Sequence, residues 1–152
     1  MIDQKLLELG ITLPQASAPA ANYLPYAIHG DLLYISGQLA TNAAGELLRG
    51  KLGAGLTVAQ GQEGARLCAI NILAQAKAAL GGDLERIRQV VKITGFVASE
   101  PSFVEQHLVV NGASNLLAEV LGERGRHARA AVGMAALPLD AAVEVEAIIA
   151  IG

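Results

Sequence analysis

The longest repeat of apolar residues at three- and four-residue spacing runs from residue 65 to residue 80, which is the period of an amphipathic helix. Thr57 and Gln60 fit a capping box ahead of it, in which each side chain satisfies a free backbone N–H of the other. A Gly-Gly pair at 81–82 ends the pattern. We therefore predict a long helix that begins at Thr57 and ends at Leu80.

A second apolar repeat predicts another long helix. Ser102 and Glu105 also fit a capping box, and the apolar positions that follow stop at Gly122. A shorter pattern in the first nine residues, which stops at Gly10, predicts a short N-terminal helix. Residues 13–21 contain two prolines and predict an extended segment.

Between these helices the chain contains runs of β-branched and aromatic residues that predict strands. The region from Tyr26 to Gln38 is typical of a hairpin with Gly30-Asp31 as its turn. A second turn is expected over 42–45. The further predicted strands are 47–52 at an edge, 90–98, 129–136 and 143–149.

This order of elements predicts an α+β fold: a two-layer domain with one mixed, mostly antiparallel sheet and two long helices on one face. Val143, Val145 and two further apolar positions share one side of the last strand. Glu144 and Glu146 share the other side with Ile148 and Ala150. The sheet face away from the helices is therefore mostly apolar and is expected to be covered by another subunit.

Composition supports that expectation. The 152 residues are enough for a single domain spanning 1–152, with 53% hydrophobic and only 16% charged residues. A typical soluble domain is about 25% charged. No apolar run reaches the ~20 residues that a membrane span needs, and the N-terminus lacks a secretory pattern. We expect a cytoplasmic protein without a membrane partner.

Several kinds of chemistry are not indicated. His29, His107 and His127 are scattered, so no metal site is expected. Cys68 falls on the apolar side of the first long helix, which is typical of a buried structural cysteine. No phosphate-binding glycine motif is present. A net charge of -3 and a pI near 5.6 argue against a nucleic-acid partner.

Arg129 and Glu144 remain as candidates for a site. Arg129 opens an apolar strand, and a guanidinium can hold a carboxylate through two hydrogen bonds. Glu144 projects from the last strand and could orient or deprotonate a water molecule. A solvated strand end and a polar outer face explain the same residues without function. If the two final strands are antiparallel neighbours, they place Arg129 and Glu144 together.

These residues resemble a known family. The segments 129–132, 137–138 and 143–147 resemble the C-terminal signature of the RidA/YjgF family of reactive intermediate deaminases, also called the L-PSP endoribonuclease family. The segment 30–38, Gly-Asp-Leu-Leu-Tyr-Ile-Ser-Gly-Gln, is similar to the early hairpin of that family. Asn111 is similar to an asparagine of its second helix. The resemblance runs from about residue 22 to residue 150 and leaves residues 1–21 as an N-terminal extension.

The resemblance implies a chorismate-mutase-like fold and a homotrimer with clefts between its subunits. It also implies hydrolysis of reactive enamines and imines, such as 2-aminoacrylate, to 2-oxo acids and ammonia. No metal or organic cofactor is implied. The expected ligand is a small carboxylate-bearing imine, enamine or 2-oxo acid.

The resemblance also implies roles for single residues. Arg129 would hold the substrate carboxylate, and Glu144 would position or activate the attacking water. The backbone at Ala131 would contact the substrate amine or the water. Deaminases of the family often have cysteine at this position, which places substrate preference in doubt.

Four further residues would line the cleft on the same grounds. Ser36 and Gly37 would form its wall, and Asn111 would lie nearby. The Gly-Pro-Tyr-Ser segment of the family is absent here, so its tyrosine has two candidates. Tyr23, which matches by its distance to Gly37, is favoured over Tyr26, which follows a proline as in the motif.

Two other functions are open. Loss of the cysteine and of the tyrosine motif is compatible with a non-catalytic trimer that binds or senses a small metabolite. The older family name suggests an RNA-cleaving inhibitor of translation. The acidic pI and the absence of tryptophan for base stacking disfavour RNA binding.

Overall fold

The computed structural model describes residues 1–18 and 21–152. Its helices are α1 (Ile2–Glu8), α2 (Val58–Ala79) and α3 (Gln106–Leu121). Its strands are β1 (Tyr26–His29), β2 (Leu32–Leu39), β3 (Lys51–Leu52), β4 (Gly55–Leu56), β5 (Ile87–Ala98), β6 (Ala128–Met134) and β7 (Val143–Ile151). The α+β class and the mixed, mostly antiparallel sheet agree with the prediction.

The starts of the two long helices differ in how well local sequence predicted them. The capping box of α2 is present, because Thr57 accepts from the backbone of Gln60 and the Gln60 side chain accepts from Thr57. The second predicted capping box is wrong. Ser102 bonds the carboxylate of Glu100 instead, and α3 begins only after Glu105 without a side-chain cap.

The main sheet has the strand order β1-β2-β7-β5-β6. All neighbours are antiparallel except β5 and β6, which are parallel. Strands β5 and β6 are joined through α3, and a helical crossover returns the chain in the parallel direction. Strand β7 then lies between β2 and β5, so the expected pairing of the last two strands is wrong.

The predicted edge strand over 47–52 is also shorter than expected. Only Lys51–Leu52 forms a strand, in a small parallel pair with Gly55–Leu56. Gly50 has a φ of 118° and Gly53 a φ of 84°, which are conformations that interrupt extended backbone on both sides.

The two faces of the main sheet are unlike each other. On the helix side, Val143, Val145 and Ile149 are fully buried. The opposite side, which we call the open face, carries Glu144, Glu146 and Ile148 from β7, as the alternation predicted. Large apolar side chains of other strands on this face are also solvent-exposed in the single chain: Tyr34, Val132 and Met134 at 42%, 41% and 37%.

The N-terminal helix packs against the rest of the chain. Ile2 and Leu6 are buried in the core, and the Ile2 backbone N–H donates to the Glu85 carboxylate at 2.6 Å. Residues 11–18 form neither helix nor strand, and two residues of the predicted extended segment, 19 and 20, lie outside the described residues. Among the helices that the structure describes, none combines the length and hydropathy needed to cross a bilayer.

Candidate active site

Strand β2 contains a bulge at Ser36 and Gly37. Its pairing with β7 shifts between Ile35, which lies opposite Ala147, and Gln38, which lies opposite Val145. Two residues of β2 therefore face one residue of β7, and bulges of this kind often redirect side chains at functional sites.

Glu144 occupies the space that Gly37 leaves. A side chain at position 37 would overlap the Glu144 carboxylate where it now lies, so glycine permits this close approach. Burial raises the pKa of the half-buried Glu144 carboxyl, and the neighbouring Glu146 carboxylate raises it further. No hydrogen bond to the Glu144 carboxylate is seen within residues 1–18 and 21–152. The group is therefore poised to exchange a proton nearer neutral pH than an exposed glutamate.

Cys68 lies in α2 below this part of the sheet. It is fully buried, and its Sγ lies 3.5 Å from the Val143 carbonyl. Burial raises the pKa of the thiol far above its ordinary range, and the charge of Glu144 adds to this effect. The raised pKa keeps the thiol protonated, and the burial of Cys68 confirms the predicted buried cysteine.

A cavity of about 500 Å³ lies at the edge of β2, between that edge, α2 and residues 14–18. Tyr23, Ser36 and Gly37 all line it, and the Ser36 hydroxyl donates to the Leu24 carbonyl at 2.7 Å. Of the two tyrosine candidates, Tyr23 reaches this cavity, whereas Tyr26 pairs in β1 and packs against the core. Tyr23, Ser36 and Gly37 thus line this cavity, and Glu144, from the central strand β7, lies against Gly37. We call these four residues the Glu144 group.

Arg129 lies at the opposite edge, on β6, and points towards α3. Its guanidinium donates from Nη1 to the Ser114 hydroxyl at 3.1 Å and from Nη2 to the His107 carbonyl at 2.9 Å. Asn111 lies between these two acceptors along α3, four residues after His107 and three residues before Ser114. Ala131 is two residues further along β6, on the same sheet face. Arg129, Asn111 and Ala131 form the Arg129 group.

One chain does not bring Arg129 and Glu144 together. Arg129 lies opposite Ile93 in β5 and faces the helices, whereas Glu144 lies opposite Phe96 and occupies the open face. Strand β5 separates β6 from β7, so the two backbones are two strand spacings, or about 10 Å, apart. The seven predicted site residues therefore fall into two groups, and the charged residue of each group lies on a different face of the sheet.

Sequence reasoning missed two residues that hold Arg129. The Ser114 hydroxyl lies 2.8 Å from His127 Nε2, and His127 Nδ1 lies 2.6 Å from the Gly125 carbonyl. A usable signal existed, because residues two apart in a strand share a face and His127 precedes Arg129 by two. Ser114 gave no such signal, since its distance from Arg129 depends on how α3 packs on β6.

Within the two described stretches, three or more histidine, cysteine or acidic side chains do not come close enough to hold a metal ion. The site chemistry visible in the chain therefore consists of a guanidinium, a desolvated carboxylate, an amide and hydroxyl groups. Groups of these types can perform acid–base chemistry and bind a carboxylate.

Comparison with known proteins identifies the family to which this chain belongs. Residues 3–150 match the model of a family described as YjgF/chorismate mutase-like, putative endoribonuclease. The protein belongs to this RidA/YjgF family and has its chorismate-mutase-like fold. The match begins within α1, so the predicted N-terminal extension lies inside the matched region.

Three relatives illustrate the range of similarity. Protein TCP17 of Trypanosoma cruzi is 54% identical over 95% of this chain and 90% of its own length. The crystal structure of Atu1372 from Agrobacterium tumefaciens, described as having unknown function, is 60% identical, covers 99% of this chain and 92% of its own, and has a TM-score of 0.93. RidA from the Antarctic bacterium Psychrobacter sp. PAMC 21119 is 31% identical, covers 90% and 94%, and has a TM-score of 0.63.

Proposed function

We propose that this protein is a hydrolytic deaminase that converts reactive enamine and imine intermediates, of the 2-aminoacrylate type, to 2-oxo acids and ammonia. The observation that carries the proposal is the Glu144 carboxylate, desolvated and seated against Gly37. Arg129 supports it, because a fixed guanidinium suits the carboxylate that such substrates carry.

In the proposed reaction the two groups divide the work. Arg129 binds the substrate carboxylate and leaves the imine carbon facing Glu144. The water oxygen bonds to the carbon of the N-protonated imine, to which an enamine first tautomerises, while Glu144 takes a proton from that water, giving a neutral carbinolamine. Glu144 returns this proton to nitrogen, and the C–N bond then breaks as the carbinolamine hydroxyl gives its proton to the Glu144 carboxylate and the C=O bond forms. Ammonia leaves and takes up that proton as ammonium. General acid–base assistance of this kind contributes about 10²–10⁴-fold to the rate.

We place the working cleft between two copies of the chain. Arg129 and Glu144 face different sides of one sheet, so both can meet a single small molecule only if different copies supply them. The apolar side chains of the open face, Tyr34, Val132 and Met134 among them, support association through this face. A homotrimer is the proposed assembly, and an equilibrium sedimentation mass of 15.6 kDa would contradict it.

A second candidate is a trimer that binds a small metabolite without converting it. The observation in its favour is Ala131, which places a methyl group where deaminases of the family often carry a thiol. Turnover distinguishes the two functions, since both predict binding of a small carboxylate.

The test is release of ammonia and 2-oxo acid from amino acids oxidised in situ to their imines. Wild type is compared with Arg129→Ala and with Arg126→Ala, whose exposed side chain pairs with the exposed Glu123. We expect acceleration by wild type and Arg126→Ala and its loss in Arg129→Ala. Equal rates in wild type and Arg129→Ala, or no acceleration with any amino acid, would exclude the deaminase.

A further inference from the structure

A chain of hydrogen bonds runs from Arg129 into the protein. It starts at Arg129 Nη1, passes through the Ser114 hydroxyl and the His127 ring, and ends at the Gly125 carbonyl. Its three links measure 3.1, 2.8 and 2.6 Å. The first two are within the ordinary range for protein hydrogen bonds, and the third is slightly shorter than that range.

Donor chemistry fixes the directions of the first and last links, and that of the middle link is fixed for a neutral His127 ring. The Gly125 carbonyl can only accept, so His127 Nδ1 carries a proton. In the neutral ring Nε2 then accepts, and Ser114 donates its hydroxyl proton to it. The guanidinium can only donate, so Ser114 receives a hydrogen bond from Arg129 through a lone pair. The hydroxyl of Ser114 is thereby held in one orientation from both sides.

The far end of the chain is anchored by close packing. A side chain at position 125 would overlap the Leu117 carbonyl of α3, so Gly125 lets this turn lie directly against the helix. The turn holds the carbonyl that fixes His127. His127 and Ser114 therefore belong to one rigid unit made of α3 and the start of β6.

Arg129 retains donors for a ligand while it is held. A guanidinium side chain has five N–H groups, and the contacts with Ser114 and the His107 carbonyl use two of them. Three remain, including that on Nε. A carboxylate needs two parallel N–H donors for bidentate binding.

We propose that Ser114 and His127 are positioning residues that hold the Arg129 guanidinium in its carboxylate-binding orientation before the ligand arrives. The side chain then loses little rotational freedom on binding, which strengthens the complex. The benefit of this role to catalysis rests on the proposed function. The ordering of the Arg129 side chain by Ser114 and His127 does not.

The test combines a measurement without ligand and one with ligand. Arginine labelled with ¹⁵N reports the order parameter of the Arg129 Nε–H bond by NMR. We expect a rigid Nε–H in wild type and in Ser114→Thr, which keeps the hydroxyl. We expect a mobile one in Ser114→Ala and in His127→Phe. Asn115→Ala, an exposed position on the same helix, is the matched control and should resemble wild type.

Calorimetry with 2-oxobutanoate as the probe then measures the consequence. Ser114→Ala should weaken binding about tenfold, and in turnover assays it should raise KM by a similar factor while kcat stays within about twofold, since the lost interaction concerns binding. Ser114→Thr should restore affinity.

The outcomes separate this inference from the proposed function. Failure of wild type to bind the probe or release ammonia would contradict the proposed function, and the NMR comparison would still decide whether Ser114 orders Arg129. An equally rigid Nε–H in wild type and Ser114→Ala, or equal affinity in both where wild type binds, would overturn the positioning role.

Discussion

The Arg129 group and the Glu144 group prepare their charged side chains in opposite ways. Arg129 is held by two acceptors from α3, and one of these is itself held by His127. Glu144 is desolvated against Gly37, beside a second carboxylate, and its pKa is raised. The first arrangement fixes a permanent charge in place, whereas the second makes a charge easy to neutralise.

The difference matches what each step of the proposed chemistry needs. A group that anchors a carboxylate must keep its charge and direction, and hydrogen bonds to fixed acceptors provide both. A group that moves a proton works best when its pKa lies near the working pH, and partial burial shifts a carboxyl that way. The predictions below test this contrast, in order of decreasing effect.

The largest expected effect is on turnover. Glu144→Gln keeps the shape of the side chain but cannot accept a proton from water, so kcat should fall about 10²–10⁴-fold. Binding of a 2-oxo acid to Arg129 should persist, which calorimetry would show. Glu146→Gln, at the exposed neighbouring carboxylate, is the matched control and should retain most activity. Undiminished turnover in Glu144→Gln would remove that residue from the mechanism.

The pH profile gives a second test of Glu144. As a base it must be ionised, so kcat/KM should decline as pH falls through its raised pKa, above the ordinary value of 4.5. Glu146→Gln removes the neighbouring charge and should move this decline to lower pH. A profile with the same acid limb in both proteins would contradict the coupling of the two carboxylates.

The fit of Glu144 over Gly37 should be visible in stability. Gly37→Ala forces the end of the flexible Glu144 side chain to move away from the added methyl group and should destabilise the fold by less than ~1 kcal/mol, below the usual cost of overpacking a core. In a Glu144→Ala background that cost should largely disappear. Denaturant unfolding of the four proteins measures the coupling. Equal costs in both backgrounds would mean that the Glu144 side chain is not what Gly37 accommodates.

The raised pKa of Glu144 also predicts a modest gain in stability on its removal. The folded protein holds the ionised carboxyl at a disadvantage at neutral pH, so Glu144→Gln should raise the Tm at pH 7. The gain should shrink as pH falls through the raised folded-state pKa towards 4.5, because the wild-type carboxyl then becomes protonated. Thermal unfolding at several pH values checks this prediction. A lower Tm for Glu144→Gln than for wild type at pH 7 would contradict desolvation of the Glu144 carboxylate.

Glu85 offers the smallest effect and the opposite sign. The hydrogen bond from the Ile2 N–H has the largest effect and lowers the pKa of the Glu85 carboxyl. Arg124 lowers this pKa further, and together they outweigh the opposite effect of desolvation. This contribution to stability is present above the ordinary carboxyl pKa and is lost as pH falls through the lowered one. Glu85→Gln should therefore lower the Tm slightly at pH 7 and leave it unchanged in strong acid. A raised Tm at pH 7 would contradict the assigned contacts.

Much of the fold could be predicted because its signals are local. The capping box at Thr57, the Gly30-Asp31 turn and the alternation along residues 143–150 each act within a few residues. The failed prediction at Ser102 was local too, but Glu100 competes for the same hydroxyl. A local sequence pattern shows which hydrogen bonds can form. A competing partner nearby determines which of them does form.

The site was harder to predict because it depends on strand order. The sequence predicts that the last two strands are neighbours, whereas the crossover through α3 places β6 outside β5 and leaves β7 in the centre. That order separates Arg129 from Glu144. The contact of Glu144 with Gly37 depends on a bulge between β2 and β7, which neither strand shows by itself. Ser114 similarly meets Arg129 only through packing of α3.

The most direct test of a cleft shared between copies mixes two inactive variants. Arg129→Ala and Glu144→Gln are refolded together in equal amounts, and deaminase activity is measured. If different copies supply the two residues, about a quarter of the clefts in a randomly mixed cyclic assembly contain both, and activity should recover to about that fraction of wild type. A mixture that stays as inactive as its components would show that one chain supplies both residues.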